Sequence, residues 1–403
     1  VELRVTSHGV CVPGFKAAGV KEGKYGVALI KSEAPAKAAV MLTSNRVKAA
    51  PLLVSREHVD KEIFGIIANS GNANAFTGSA GIEDARSMCS LAAELLGGKA
   101  ENYLVASTGV IGRRLDLARV ERLAREAAQR LEESPQASEA AARAIMTTDT
   151  FPKVCSVEAV LGDGTRFVVG GIAKGAGMIA PKLGHATMLC FLTTNARLER
   201  GELEEALAKA VEQSFNRVVV DGDTSTNDFV ALLANGRAGN ESISGFQEAL
   251  NFITKQLAKS IARDGEGATK YIEVRVTGAR SDVEAELAAR AVAGSNLVKS
   301  AVFGGDPNWG RIVAALGYSG AEVVPERLSL YVGRRGDERR VCLVREGKPL
   351  ALEGTAELKA AEEVFRQREV YIVVELNLGS GRGEAYGCDL TYDYVRINAE
   401  YTT

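Results

Sequence analysis

Histidine is nearly absent from this chain: 403 residues contain three, His8, His58 and His185. A Ser-His-Asp or Cys-His enzyme would have to take its base from those three. His8 and His58 stand in segments without other catalytic signals, and His185 reads as a loop residue. Cysteine pairing is missing too. The six cysteines (11, 89, 155, 190, 342 and 388) are far apart and form no Cys-x-x-Cys pair. Reduced core thiols are expected, and a metal site is not, since no two Cys or His fall at ligand spacing. An excess of one charge is also lacking, with 49 Lys and Arg against 51 Asp and Glu. That balance argues against nucleic acid or an anionic membrane as the main partner. No apolar run reaches the ~18–20 residues needed to cross a bilayer. The opening VELRVTSHGVCVPGF has neither the basic nor the apolar region of a signal peptide, so a cytoplasmic location is expected.

Two motifs are incomplete. The acids of Asp221-Gly222-Asp223-Thr224-Ser225-Thr226-Asn227-Asp228 resemble a calcium loop but lack its terminal glutamate. Asp264-Gly265-Glu266-Gly267-Ala268-Thr269-Lys270 does not satisfy the phosphate-loop pattern. In the latter, Glu266 stands between two glycines, whose close backbone can hold its carboxylate at a pocket rim.

What is present is ordinary globular composition, 46% hydrophobic and 25% charged, enough for about two to three domain-sized units. The richest stretch is Gly170 to Asn195, GGIAKGAGMIAPKLGHATMLCFLTTN, with glycine at 170, 171, 175, 177 and 184. It leads into a short core strand at 188–192. Ala186-Thr187 stands where loop becomes strand. Threonine is a poor nucleophile unless a base activates it or it begins a chain, where its own amine can take the proton. The expectation is that the chain cuts itself before Thr187 and uses the new terminus. An α-amine titrates near about 7.7–8.0 and a lysine near about 10.4, so the terminus is the better base at neutral pH by orders of magnitude. Histidine is then unnecessary.

Elsewhere the pattern mixes strands and helices without regular βαβ alternation. Apolar runs at 27–30, 38–42, 64–68, 103–106, 166–169, 217–220, 229–233 and 271–276 read as strands. The run at 166–169 extends in principle to 179. Helical spacing marks 81–98, 116–133, 138–146, 202–215, 246–263, 282–299 and 356–367. The last quarter reads mostly as strands, at 327–332, 340–344, 370–376 and 388–396. Asn45 to Pro51 reads as a basic solvated connector. The asparagine-rich 69–75 suits either turn chemistry or a pocket wall. Ser107-Thr108-Gly109-Val110-Ile111-Gly112 follows a strand, where free backbone N–H groups could serve an oxyanion; a tight turn explains the same pattern. No repeat or linker-like boundary is visible, and layered α+β packing is favoured over a doubly wound sheet.

Several segments, taken in order, resemble the ornithine acetyltransferase (glutamate N-acetyltransferase) family of arginine biosynthesis along nearly the whole length. They begin with Ser44-Asn45-Arg46-Val47-Lys48-Ala49-Ala50-Pro51, Asn69-Ser70-Gly71-Asn72-Ala73-Asn74-Ala75 and Ser107-Thr108-Gly109-Val110-Ile111-Gly112. Thr147-Thr148-Asp149-Thr150, Lys174-Gly175-Ala176-Gly177-Met178-Ile179 and Ala186-Thr187-Met188-Leu189 follow. Asp306-Pro307-Asn308-Trp309-Gly310-Arg311 and the Ile397-Asn398-Ala399 tail complete the set. Here Leu183-Gly184-His185 makes the connection to Ala186 longer than the family pattern, with His185 where methionine is usual.

The resemblance implies an α+β fold, layered αββα, like the N-terminal-nucleophile hydrolases in layout but with distinct connectivity. It implies cleavage between Ala186 and Thr187 into an α chain (1–186) and a β chain (187–403), with Thr187 as nucleophile and Thr108 and Gly109 as oxyanion hole. The substrate contacts it implies are Thr150, Lys174, Thr187, Glu266, Asn398 and Thr403. The implied reaction moves acetyl from N2-acetyl-L-ornithine to L-glutamate through an acetyl-Thr187 intermediate. No cofactor or metal is implied, and acetyl-CoA is left open as a further donor. The chains would associate as two α and two β. The rivals are a self-cleaving amidohydrolase or aminopeptidase and a non-catalytic small-molecule binder.

Overall fold

An eighteen-residue strand, Tyr25–Leu42, organises the first half of the chain. Its two apolar stretches are separated by the polar interval around Pro35, which suggests two short strands. In the computed structural model, which describes residues 1–180, 188–239 and 245–400, they form one. Pairing with the next strand shifts register between Lys31 and Ala36, where Pro35 has no N–H to give to a ladder. The polar interval is therefore the place where one strand leaves one sheet half and enters the other.

In chain order the elements begin with β1 (Glu2–Thr6), β2 (Phe15–Glu22), β3 (Tyr25–Leu42), α1 (Ala50–His58), β4 (Ile63–Asn72) and α2 (Gly78–Leu96). Next come β5 (Tyr103–Val110), α3 (Leu117–Ala128), α4 (Pro135–Ala144), β6 (Lys153–Val160), β7 (Arg166–Lys174) and β8 (Leu189–Thr194). These are followed by α5 (Arg200–Glu212), β9 (Val218–Val219), β10 (Phe229–Ala234), α6 (Phe246–Arg263) and β11 (Tyr271–Ala279). Helices α7 (Asp282–Gly294), α8 (Asn296–Gly304) and α9 (Trp309–Tyr318) precede β12 (Ser329–Arg334), β13 (Asp337–Arg345) and β14 (Lys348–Pro349). The chain closes with α10 (Ala356–Phe365), β15 (Glu369–Glu375), β16 (Gly381–Cys388) and α11 (Tyr392–Glu400).

Two compact units result, one with Val1–Asn216 and Asp223–Ile261, the other with Arg217–Gly222 and Ala262–Tyr401. The division falls inside α6, where no linker composition could mark it. In the first unit the strand order is β1-β6-β7-β8-β10-β3-β4-β5, with β2 on the other edge of β3. Alternation along each strand sends side chains to two faces. Val27, Leu29, Ile67 and Val105 pack under α2 and α3 through Ala85, Met88, Leu123 and Ala127. Their neighbours Ala28, Ile30, Ile66, Ala68 and Leu104 face Leu189, Phe191, Phe229 and Ala231 of the other half. On the far side of that half α6 lies against β7, Phe246 meeting Phe167 at 6.0 Å between ring centroids. Helix, sheet, sheet and helix thus stack in the expected αββα order. The second unit has its own sheet, β14-β13-β12-β15-β11-β16-β9, and its own core. There Val274, Val276, Ile372 and Leu330 pack with the alanine-rich face of α7 and with Ile312 and Phe365.

Several expectations change. The basic connector runs into α1, opened by Pro51 in its first turn, where proline's fixed φ suits a helix start. The helix expected at 282–299 is two, because Ser295 caps a new one by accepting from Val298 N at 3.2 Å. The run after Asp306 contributes α9. The strand expected at 388–396 is largely helix α11. Thr391 accepts from Tyr394 N at 3.3 Å at its start, and Tyr392 and Val395 are exposed, so these apolar residues mark no buried face. Strand β7 ends at Lys174 rather than continuing to 179. All six cysteines are free.

Candidate active site

The site of the first unit is built on the parallel pair β4 and β5, in register from Gly65↔Tyr103 to Gly71↔Gly109. At that end the ladder slips, with Asn72 facing both Thr108 and Val110. Gly109 sits there at φ +134°, and a Cβ on it would lie 2.4 Å from Gly71 C and 2.5 Å from Asn72 N. Only glycine allows the two backbones to approach this closely. Thr108 is buried. Its Oγ1 accepts from Lys174 Nζ at 3.2 Å, and the same amine donates to Thr147 Oγ1 at 2.9 Å. Since Thr108 is the acceptor in that bond, its own hydroxyl proton remains available to a developing oxyanion. Lys174 is held at the end of β7, opposite Leu189 of β8.

Around this amine lies a charged cluster that sequence reasoning did not single out. Asp149 and Lys153 are an ion pair at 2.8 Å with both side chains fully buried. Asp149 Oδ1 also accepts from Gly175 N at 2.7 Å, and Oδ2 accepts from Thr147 N at 3.1 Å. Burial acts to raise the Asp149 pKa, but the charges of Lys174 and Lys153 and these hydrogen bonds outweigh it and hold the group at about 2. Lys21 donates to Ser70 Oγ at 2.9 Å and to the Met146 carbonyl. Burial and the Lys174 charge bring its amine down to about 8, against the pull of Asp149. Asp228 is the opposite case. It is buried with no hydrogen-bond partner on Oδ2. Burial pushes its carboxyl well above the usual range, against Thr43, Ser225 and Lys174. The one signal in the sequence was an acid set among hydroxyls at both places, in 147–150 and in 223–228.

In the asparagine-rich segment Asn69 to Asn72 end β4 and line a cavity with Tyr25 and Arg119, and the chain turns after them. Asn72 Oδ1 accepts from Asn74 N at 2.8 Å, and Asn74 has φ +46°. Asn227 ties that turn to β5, donating to the carbonyls of Ala73 and Ser107 at 2.6 and 2.8 Å. Thr150 follows Asp149 and is exposed. His58 is buried, its Nδ1 2.8 Å from the Tyr103 carbonyl.

In the second unit Glu266 is buried and accepts from Asn398 Nδ2 at 2.7 Å. Gly267, at φ +67°, leaves no room for a Cβ, which would fall 2.5 Å from Tyr394 N. Thr391 Oγ1 donates to the Gly267 carbonyl at 2.7 Å. The Glu266 turn is thus pinned to α11, the helix that carries Asn398. Thr108 and Lys174 are in contact in one unit, and Glu266 and Asn398 in the other. Ala186, Thr187 and Thr403 lie outside the described residues. Among the described residues no three His, Cys, Asp or Glu side chains cluster as metal ligands, and no helix is long and apolar enough to cross a membrane.

The model of the ArgJ family matches residues 14–403. This chain belongs to the ArgJ family. Among relatives of this ArgJ-family chain, the glutamate N-acetyltransferase of Methanothermobacter thermautotrophicus is 52% identical over 405 residues, covering 100% of this chain and 99% of the relative. The arginine biosynthesis bifunctional protein ArgJ of Symbiobacterium thermophilum is 49% identical over 411 residues, 98% of each. The crystal structure of the bifunctional protein argJ of Bacillus halodurans shares 46% identity. It covers 52% of this chain and 97% of that chain, with a TM-score of 0.48.

Proposed function

We propose that this ArgJ-family acyltransferase moves the acetyl group of N2-acetyl-L-ornithine to L-glutamate, through an ester on Thr187. The observation that carries the activity is the family match from residue 14 to residue 403, with glutamate N-acetyltransferases about half identical along the full length. The contact of Lys174 with Thr108 supports the assignment of the transfer site.

Activation comes first. Thr187 Oγ attacks the Ala186 carbonyl, the peptide becomes an ester by an N→O shift, and water hydrolyses it. The products are an α chain of residues 1–186 and a β chain that starts with a free amine at Thr187. In transfer, that amine takes the Thr187 hydroxyl proton as Oγ attacks the acetyl amide. It then gives the proton to the departing ornithine nitrogen. The glutamate amine next attacks the acetyl ester, losing a proton to the same base, which returns it to Oγ as Oγ leaves. Thr108 and Gly109 serve the oxyanion of both tetrahedral intermediates; one such donor is typically worth ~10²–10³ in rate. Lys174 offers its charge to a substrate carboxylate, and Glu266, oriented by Asn398, takes the cationic end of ornithine. Thr150 and Thr403 complete the substrate contacts. The chains work as two α and two β in the cytoplasm, without a cofactor, and acetyl-CoA is a second donor to be tried.

The deciding experiment incubates purified protein with N-acetylornithine and glutamate, and separately with acetyl-CoA and glutamate, following N-acetylglutamate and intact mass. Two fragments and product are expected from the wild type, and a single uncut, inactive chain from Thr187→Ala. Cleavage or acetyl exchange by Thr187→Ala would refute the mechanism.

A further inference from the structure

Asp149 is more than a counter-ion for a buried lysine. A carboxylate needed only to neutralise Lys153 would be satisfied by that lysine and by whatever donors came to hand. Here its other two bonds go to the backbone N–H of Gly175, next to Lys174, and of Thr147, whose hydroxyl accepts from Lys174. Lys174 Nζ itself stands 4.0 Å from Oδ2. One carboxylate therefore fixes the strand end that carries the amine, the loop that receives it, and the charge opposite it.

We propose that Asp149 is the positioning residue of the transfer site, holding the Lys174 ammonium on Thr108 and keeping it charged. This rests on the reading of Lys174 and Thr108 given above. Among the described residues, the charged and titratable groups facing the pair come from four places: Lys153 on β6, Lys174 on β7, Lys21 on β2 and Asp228 ahead of β10. Burial disfavours the charged form of Asp228, whereas Asp149 stays a carboxylate beside three amines among the described residues. Without it, Lys174 gives up its proton more readily, since a carboxylate 4–6 Å away typically shifts a partner by about 1–3 pH units. The neutral amine then neither attracts a substrate carboxylate nor reinforces Thr108.

The test compares wild type, Asp149→Asn, and Asp149→Asn combined with Lys153→Met, which leaves no uncompensated charge at the pair. Acetyl transfer from N-acetylornithine to glutamate is measured per cut chain between pH 6 and pH 10, alongside thermal melting. Both variants are expected to lose about tenfold or more in kcat/KM at pH 8, and their alkaline limbs to move down by about one pH unit. The loss shrinks toward pH 6, and the paired variant regains melting temperature without regaining activity. A paired variant with wild-type kcat/KM and alkaline limb would overturn the proposal, as would one that no longer melts cooperatively, because Asp149 would then be purely structural. A wild type that makes no N-acetylglutamate would instead refute the broader reading.

Discussion

Replacing Gly109 with alanine tests the oxyanion assignment at the point where the backbone is most constrained. The new Cβ would lie 2.4 Å from Gly71 C and 2.5 Å from Asn72 N, whereas carbon atoms in contact prefer about 3.5–4.0 Å. Both obstacles are main chain in the neighbouring strand, so no side-chain rotation relieves them and β4 and β5 must part by about 1 Å at this end. An alanine at φ +134° adds strain of about 1–3 kcal/mol. The oxyanion donors would move with the strand end, and losing one such donor costs ~10²–10³ in kcat. Because the donors act on charge that develops only in the transition state, KM should change little. Gly112 is the control: it has φ +82°, but nothing lies within 4 Å of its missing Cβ. Gly112→Ala therefore carries strain without a clash. Steady-state kinetics per cut chain, with melting curves for both variants, would measure the difference. A folded Gly109→Ala protein with wild-type kcat would refute the reasoning.

Asp228→Asn should stabilise the protein at neutral pH, because burial raises this carboxyl and leaves Oδ2 without a partner. An acid whose folded pKa is raised loses stability as pH climbs above its unfolded value of about 3.9. The gain in melting temperature should thus grow from about pH 4 upward and vanish below it; a gain independent of pH would contradict the assignment. Glu266→Gln preserves an oxygen for Asn398 Nδ2, now 2.7 Å from Oε2, and removes only the charge. The KM for N-acetylornithine should rise about tenfold or more, the worth of one charge-assisted contact, and an unchanged value would remove Glu266 from the ornithine end.

Much of the second layer of the site was hidden in the sequence for an electrostatic reason. Asp149 and Asp228 are both acids in hydroxyl-rich loops, and locally only Lys153, four residues after Asp149, separates them. Lys174 and Lys153 hold the Asp149 carboxyl low, while burial outweighs the neighbours of Asp228 and pushes its carboxyl up. Lys174, unlike Lys153, reaches Asp149 only because the end of β7 packs there. The C-terminal helix was misread for a related reason: Tyr392 and Val395 are exposed, so their spacing carried no information about a buried face.

By itself the sequence determined the local chemistry and its grammar. The ordered motifs named a family, apolar runs at 27–30, 64–68 and 103–106 predicted strands, and the scarcity of histidine left a histidine-based triad only three residues to draw on. Tertiary structure alone decided that residues 25–42 are one strand shared by two sheet halves, that Lys174 rests on Thr108, and that two buried aspartates shift in opposite directions. Such facts depend on distance and on exclusion from water, and both are settled only when segments remote in the chain pack together.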